Sequence, residues 1–97
     1  MKVTIEPDAE EDIFEAYRWY EDCDVGLGEE FLRAVDGCIA SIQRYPLSYA
    51  IVYKEIRRAL IRKFPYGIFY YADNDSIVVL ACFHARRSPK KLKDRLP

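Results

Sequence analysis

The sequence predicts an α+β fold in which two helices lie on one side of a mostly antiparallel sheet. Three observations carry this prediction: a β-branched stretch at the N-terminus, two consecutive segments with helical apolar spacing, and a second half whose apolar pattern becomes that of strands. The 97 residues suit one domain, residues 1–97, and a composition of 51% apolar and 32% charged residues is typical of globular proteins.

The first half of the chain predicts a strand followed by an antiparallel helical hairpin. The strand is Lys2–Ile5, and Pro7 with several carboxylates behind it marks the start of a helix that should end near residue 22. A second helix should span residues 27–45 and stop at Pro46. A short loop containing glycine joins the two helices, and we expect Gly37 to allow them to approach closely.

The second half predicts three strands, at residues 56–64, 66–72 and 76–85. The links between them are so short that neighbouring strands must be antiparallel, which gives the order β-α-α-β-β-β. The last strand is apolar at both parities and should be covered on both faces. The first mixes charged and apolar residues, which an edge strand or a bulge would explain. The tail at residues 88–97 is expected to be loose.

Charge is divided unevenly along the chain. Residues 1–53 hold 4 Lys/Arg and 12 Asp/Glu, whereas residues 54–97 hold 11 Lys/Arg and 4 Asp/Glu. Such a division indicates a basic face that meets an anionic partner, although the two halves could instead neutralise each other across the fold.

The three cysteines and the absence of long apolar runs narrow the class of protein. Three is an odd number and no CxxC occurs, so we expect neither a disulfide framework nor a metal site, and no cofactor. No run approaches the ~18 apolar residues that span a bilayer, and the acidic N-terminus is unlike a signal peptide. We therefore expect a cytoplasmic protein without a membrane partner.

Candidate functional side chains concentrate on the predicted sheet. The first strand carries Arg57, Arg58, Arg62 and Lys63, the second carries Tyr66, Tyr70 and Tyr71, and the end of the third carries His84, Arg86 and Arg87. We expect these groups to gather on the face of the sheet that the helices leave open. Arginines beside tyrosines suit nucleic acid, through phosphate pairing and base stacking.

A metal-free ribonuclease is one activity that such a cluster could support. It needs a base for the 2′-OH, cations for the charged phosphorane and an acid for the leaving oxygen. His84 could act as acid or base, because its unperturbed pKa lies near neutrality, while Arg58, Arg62 and Arg86 could supply charge. The same residues could also be ordinary surface charges, and the tyrosines could be packing residues.

Several phrases in fixed order identify a family. The phrases are WYE (residues 19–21), GLGEEFL (26–32), IQRYPLSY (42–49), IRRALIRKFPYGIFYY (56–71) and VLACFHARRSP (79–89). Together they resemble the RelE/ParE family of type II toxin–antitoxin toxins, over about residues 3–95.

The resemblance implies a small α+β toxin and a cognate antitoxin. The antitoxin's acidic C-terminal segment wraps the toxin and folds on it, in a toxin–antitoxin hetero-oligomer. Operator DNA is contacted only through the antitoxin.

Members of the family differ in their target, and two positions of this chain distinguish it from the RelE-like members. RelE-like members cut mRNA on the ribosome, and ParE-like members inhibit DNA gyrase without nuclease activity. RelE-like enzymes carry Tyr-Arg-x-x-Tyr in the middle strand and a catalytic Tyr or His near the C-terminus. This chain has Gly67 at the arginine position and Leu92 nearest the second position.

The prediction is therefore a ParE-like toxin that inhibits gyrase. A RelE-like ribonuclease that works through Arg58, Arg62, His84 and Arg86 is the first alternative, and a non-toxic interaction module is the second. Candidate contacts to the target or the antitoxin are Arg57, Lys63, Tyr66, Tyr70, Arg87, Lys90 and Lys91.

Overall fold

The computed structural model describes residues 1–96, and its elements follow the predicted order with two additions. In chain order they are β1 (Lys2–Ile5), α1 (Pro7–Cys23), α2 (Leu27–Arg44), β2 (Ile51–Tyr53), β3 (Ile56–Leu60), β4 (Tyr66–Asp73), β5 (Ser76–His84) and a 3-10 helix (Pro89–Arg95). The α+β prediction is confirmed. No helix in residues 1–96 is both long and apolar enough to cross a membrane.

The five strands form one mixed sheet in the order β1-β5-β4-β3-β2. Strands β3, β4 and β5 make the predicted antiparallel meander. Strand β1 runs parallel to β5 and pairs only with its first half, from Ser76 to Val79. The last strand of the meander is therefore an interior strand, as its continuous apolar sequence predicts.

Strand β2 was not predicted, and its presence corrects the description of β3. It is only three residues long, and the backbone C=O of Ala50 just before it accepts the Arg58 N–H at 3.1 Å. Strand β3 is thus not the edge of the sheet. It also ends at Leu60 rather than at residue 64, because the chain turns there and Lys63 takes a positive φ of 71°.

The C-terminal tail is ordered, contrary to the expectation that it is loose. Ser88 caps the 3-10 helix by accepting the Lys90 N–H through its hydroxyl at 3.2 Å. Leu92 is fully buried against the face of the sheet that the helices leave open, where it joins Phe69 and Phe83 in a second small core. This face is called the far face below, and the opposite one the helix side.

A bulge decides which side chains of β5 reach each face. Phe69 pairs with Ala81 and Tyr70 pairs with Val79, so Leu80 is an extra residue without a partner in β4. An extra residue reverses the alternation of side chains beyond it. Cys82 therefore continues the helix-side core begun by Ile77 and Val79, and Phe83 belongs to the far face.

Two charged side chains close the edge of β5 that β1 does not cover. The Asp12 carboxylate accepts the Cys82 N–H at 3.0 Å, and Arg95 donates to the Leu80 C=O at 3.2 Å. Arg95 also forms a bidentate ion pair with Asp12, whose side chain is 11% exposed. This Asp12–Arg95 clamp satisfies backbone groups that a missing strand neighbour leaves unpaired.

The turn between α1 and α2 explains the spacing of its glycines. The Glu21 carboxylate accepts the N–H groups of Gly26 and Gly28 at 3.0–3.1 Å, so it caps the start of α2. Gly26 has a φ of 92°. A methyl group at position 28 would lie 2.8 Å from both the ring and the carbonyl oxygen of Tyr17.

Two glycine substitutions should change stability in opposite directions. Gly28→Ala should lower the free energy of unfolding by about 1–3 kcal/mol, because the new methyl group collides with the Tyr17 backbone. Gly37→Ala meets nothing within 4 Å and should raise it by about 1 kcal/mol through helix propensity. Urea denaturation of both variants checks this, and equal effects of the same sign would contradict the packing described.

The clamp gives a second prediction. Asp12→Ala should lower the free energy of unfolding by about 3 kcal/mol, because Arg95 keeps a poorly solvated charge and the Cys82 N–H loses its acceptor. Asp8→Ala is the matched control: Asp8 is 68% exposed and 4.0 Å from Arg95, so the loss should stay below about 0.5 kcal/mol. Similar losses in the two variants would argue against the clamp.

Candidate functional site

The predicted gathering of all candidate side chains on the far face is wrong. Arg57, Tyr66, Tyr70 and His84 lie on the helix side, Arg58 lies on the far face, and Arg62 with Lys63 lies in the loop after β3. The bulge at Leu80 explains why His84 lies on the helix side. Without the extra residue, alternation from Val79 would place the His84 side chain on the far face.

Arg57 holds a loop together rather than facing a partner. Its guanidinium donates to the C=O groups of Leu47 at 3.1 Å and Tyr49 at 2.7 Å. The same loop is fixed from the core by the Tyr70 hydroxyl, which donates to the Pro46 C=O at 2.7 Å. Arg57 is half-buried, and its role in the structure is to close the connection from α2 to β2.

Tyr70 is fully buried, so a partner cannot reach it and its predicted contact role is corrected. Burial raises the pKa of its phenol to about 12, with Arg57 acting in the opposite direction, so the ring stays neutral. Tyr66 is half-buried, and its ring meets those of Tyr20 and Phe31 edge-on at centroid distances of 6.1 and 5.5 Å. Both tyrosines serve mainly the helix-side core.

His84 is half-buried opposite Tyr66, with the ring centroids 5.4 Å apart. Its Nδ1 accepts the backbone N–H of Arg86 at 3.1 Å. That bond fixes the turn after β5, and it leaves Nε2 as the nitrogen that carries the proton in a neutral ring. Arg86 itself is exposed in this turn.

Arg58 lies flat across Gly67. A methyl group at position 67 would lie 3.0 Å from Cγ and 3.1 Å from Cδ of Arg58. The position at which RelE-like enzymes carry an arginine is thus occupied by the side chain of a residue from the neighbouring strand. Arg58 and His84 therefore stand on opposite faces of the sheet.

Arg62 and Lys63 line an open groove of about 950 Å³ between α2 and the end of β3. Arg33 of α2 adds a third cation and Glu30 a carboxylate. The other lining residues are mostly apolar or small: Leu27, Ala34, Gly37, Cys38, Ser41, Tyr49, Leu60 and Phe64. This surface is called the α2 groove below.

Sequence reasoning missed Arg33 and Leu60, and it misplaced Gly37. Gly37 does not bring the two helices together, since nothing lies within 4 Å of a methyl group built there. The sequence of α2 does contain a sign of the groove. Ala34, Gly37 and Cys38 are small residues at helical spacing, so one face of the helix has short side chains. Arg33 stands beside them.

The thiol in the α2 groove is not a nucleophile at neutral pH. Burial raises the pKa of Cys38 to about 11, and the thiol makes long contacts to the C=O groups of Ala59 at 3.8 Å and Leu60 at 3.9 Å. Among residues 1–96, no three His, Cys, Asp or Glu side chains converge as metal ligands would. Cys38 is therefore a neutral, partly buried side chain of the groove.

The remaining candidates lie near the C-terminus. Lys90 and Lys91 are exposed on the 3-10 helix, and Arg87 is exposed with its guanidinium 4.2 Å from the centroid of the Phe83 ring. The structure thus presents two basic surfaces, one at the α2 groove and one beside the C-terminal segment. Fold and surfaces together define a small α+β protein with two basic surfaces.

Comparison with known proteins identifies the family to which the chain belongs. The family described as "ParE toxin of type II toxin-antitoxin system, parDE" matches residues 3–89. The chain belongs to this family of toxins, which implies an antitoxin as partner. The expected RelE/ParE relationship is confirmed.

Individual relatives support the family. The chain is 27% identical over 85 residues to Toxin ParE2 of two Mycobacterium tuberculosis strains, CDC 1551 / Oshkosh and H37Rv, covering 87% of this chain and 81% of theirs. A solved structure described as "Chromosomal ParDE TA system from P. aeruginosa" shares the fold, with a TM-score of 0.66 and 14% identity. That match covers 87% of this chain and 95% of the other.

Proposed function

We propose that this toxin acts by binding DNA gyrase and inhibiting it, without nuclease activity. The observation that carries the proposal is the separation of Arg58 from His84, a cation and the acid or base that a ribonuclease would use together. General acid–base catalysis requires the acid or base within hydrogen-bonding reach of the atoms whose charge the cations stabilise. Arg58 and His84 lie on opposite faces, and Gly67 supplies no cation.

Antitoxin binding is proposed for the α2 groove. Arg33, Arg62 and Lys63 surround an apolar floor, which suits an amphipathic segment with acidic residues along one side. An acidic segment that is disordered alone gains electrostatic attraction while it loses conformational entropy on ordering. In this proposal operator DNA is contacted only by the antitoxin within the hetero-oligomer, and the pair acts in the cytoplasm.

Gyrase activity and transcript integrity test the inhibitor proposal. The purified protein should block supercoiling by gyrase, and cells arrested by its induction should keep intact mRNA. His84→Ala should leave the arrest unchanged, because this side chain faces the helix side.

Cleaved transcripts together with loss of arrest in His84→Ala would instead establish the RelE-like alternative. Normal growth on induction without the neighbouring gene would indicate an interaction module that is not toxic.

Antitoxin affinity tests the α2 groove. Arg33→Ala with Arg62→Ala should raise the Kd for the product of the neighbouring open reading frame at least about tenfold, because each lost ion pair to an acidic segment costs about 1 kcal/mol or more. The affinity should also depend less steeply on salt. The control is Arg44→Ala, at the exposed end of α2 and outside the groove. Calorimetric titration measures the Kd of the unaltered protein, the Arg33/Arg62 variant and the control. An equal effect of the control substitution would exclude the groove as the specific site.

A further inference from the structure

Two arginines on the far face lie over the two members of one cross-strand pair. Gly67 and Phe83 are direct partners in the ladder between β4 and β5. The Arg58 side chain lies across Gly67, and the Arg87 guanidinium lies over the Phe83 ring. Directly opposed residues in antiparallel strands stand only about 5 Å apart, so these two cations occupy one small surface.

These two charges have no acceptor in the described part of the chain. Within residues 1–96, no carboxylate lies within 4 Å of Arg58 or Arg87, and neither side chain donates a hydrogen bond. Arg95, which also lies over the Phe83 ring at 4.8 Å, differs because Asp12 engages its charge. The far face thus holds two cations that are positioned by packing and whose hydrogen-bond donors are available.

The surroundings of the pair are apolar on one side. Leu60 is 60% exposed and lies 3.6 Å from where a side chain at position 67 would begin. A ligand that meets both arginines would therefore also cover an exposed leucine. This combination fits a carboxylate with an aliphatic group next to it, because a planar guanidinium pairs with carboxylates in a bidentate geometry.

We propose that Arg58 and Arg87, positioned by Gly67 and Phe83, form a binding site for an acidic peptide segment that carries aliphatic residues between its carboxylates. The site is separate from the α2 groove, which it adjoins only at Leu60. It is independent of whether gyrase is the target. The platform formed by these four residues is called the arginine platform.

Nucleic acid is a poorer fit to the arginine platform. Single-stranded nucleic acid is held by exposed aromatic rings on which bases stack. On this face Phe69 and Phe83 are each 1% exposed, and two guanidiniums already cover Phe83. Tyr53 and Tyr71 are half-buried against the same core, so neither ring is fully open for stacking. Two cations alone would also neutralise few phosphates.

Nuclear magnetic resonance titration of the full chain tests the site. The probe is a capped peptide of alternating glutamate and leucine, and the matched control peptide has glutamine in place of glutamate. The acidic peptide should shift the Nε–Hε signals of Arg58 and Arg87 and the amide of Gly67. The glutamine peptide should shift none of them.

Three variants and one control distinguish the position of the cations from their charge. Arg58→Gln and Arg87→Gln should each weaken binding about tenfold, as expected for loss of a charged hydrogen bond. Gly67→Ala keeps both cations but displaces the Arg58 side chain, so it should weaken binding several-fold. The backbone at position 67 does not have a positive φ, so alanine is compatible with the strand. Arg44→Gln removes one exposed charge elsewhere and should change nothing.

Four results would overturn the proposal. Shifts confined to Arg33 and Arg62 would assign the peptide to the α2 groove, and equal binding of the glutamine peptide would remove the role of charge. Tighter binding of an oligouridylate of equal charge would indicate nucleic acid. Concentration-dependent shifts at Arg58 and Arg87 without any peptide would mean that a second copy of the chain covers the platform.

Discussion

The fold depends on how the open edge of β5 is closed. Strand β1 is too short to cover it, and the Asp12–Arg95 clamp supplies the missing donor and acceptor from α1 and from the C-terminal 3-10 helix. One ion pair therefore joins the first helix, an interior strand and the last element. Because Arg95 also lies over Phe83, the clamp helps to hold the ring on which Arg87 rests.

The one-residue bulge at Leu80 decides on which face of the sheet the candidate residues at the end of β5 lie. By reversing the alternation of β5, it turns His84 toward Tyr66 and Phe83 toward the far face. The only histidine is thereby placed on the opposite face of the sheet from Arg58. A basic and aromatic sequence that suggests catalysis forms, in three dimensions, two basic surfaces and a packed core.

The two basic surfaces differ in how their cations are supported. In the α2 groove, Arg62 and Lys63 are exposed loop residues above an apolar floor, so they attract an acidic partner without fixing its geometry. On the far face, Arg58 rests on Gly67 and Arg87 on Phe83, so less side-chain entropy remains to be lost on binding.

The sequence by itself determined the helical hairpin, the antiparallel meander, the family and the basic character of the second half. Periodicity, capping residues and charge are local properties, and the chain displays them directly. Only the tertiary structure revealed β2, the parallel pairing of β1, the ordered C-terminal helix and the face on which each candidate residue lies. Those features depend on a three-residue strand, one extra residue at Leu80 and an ion pair between residues 12 and 95, which are set by packing between distant segments and leave no periodic trace in the sequence.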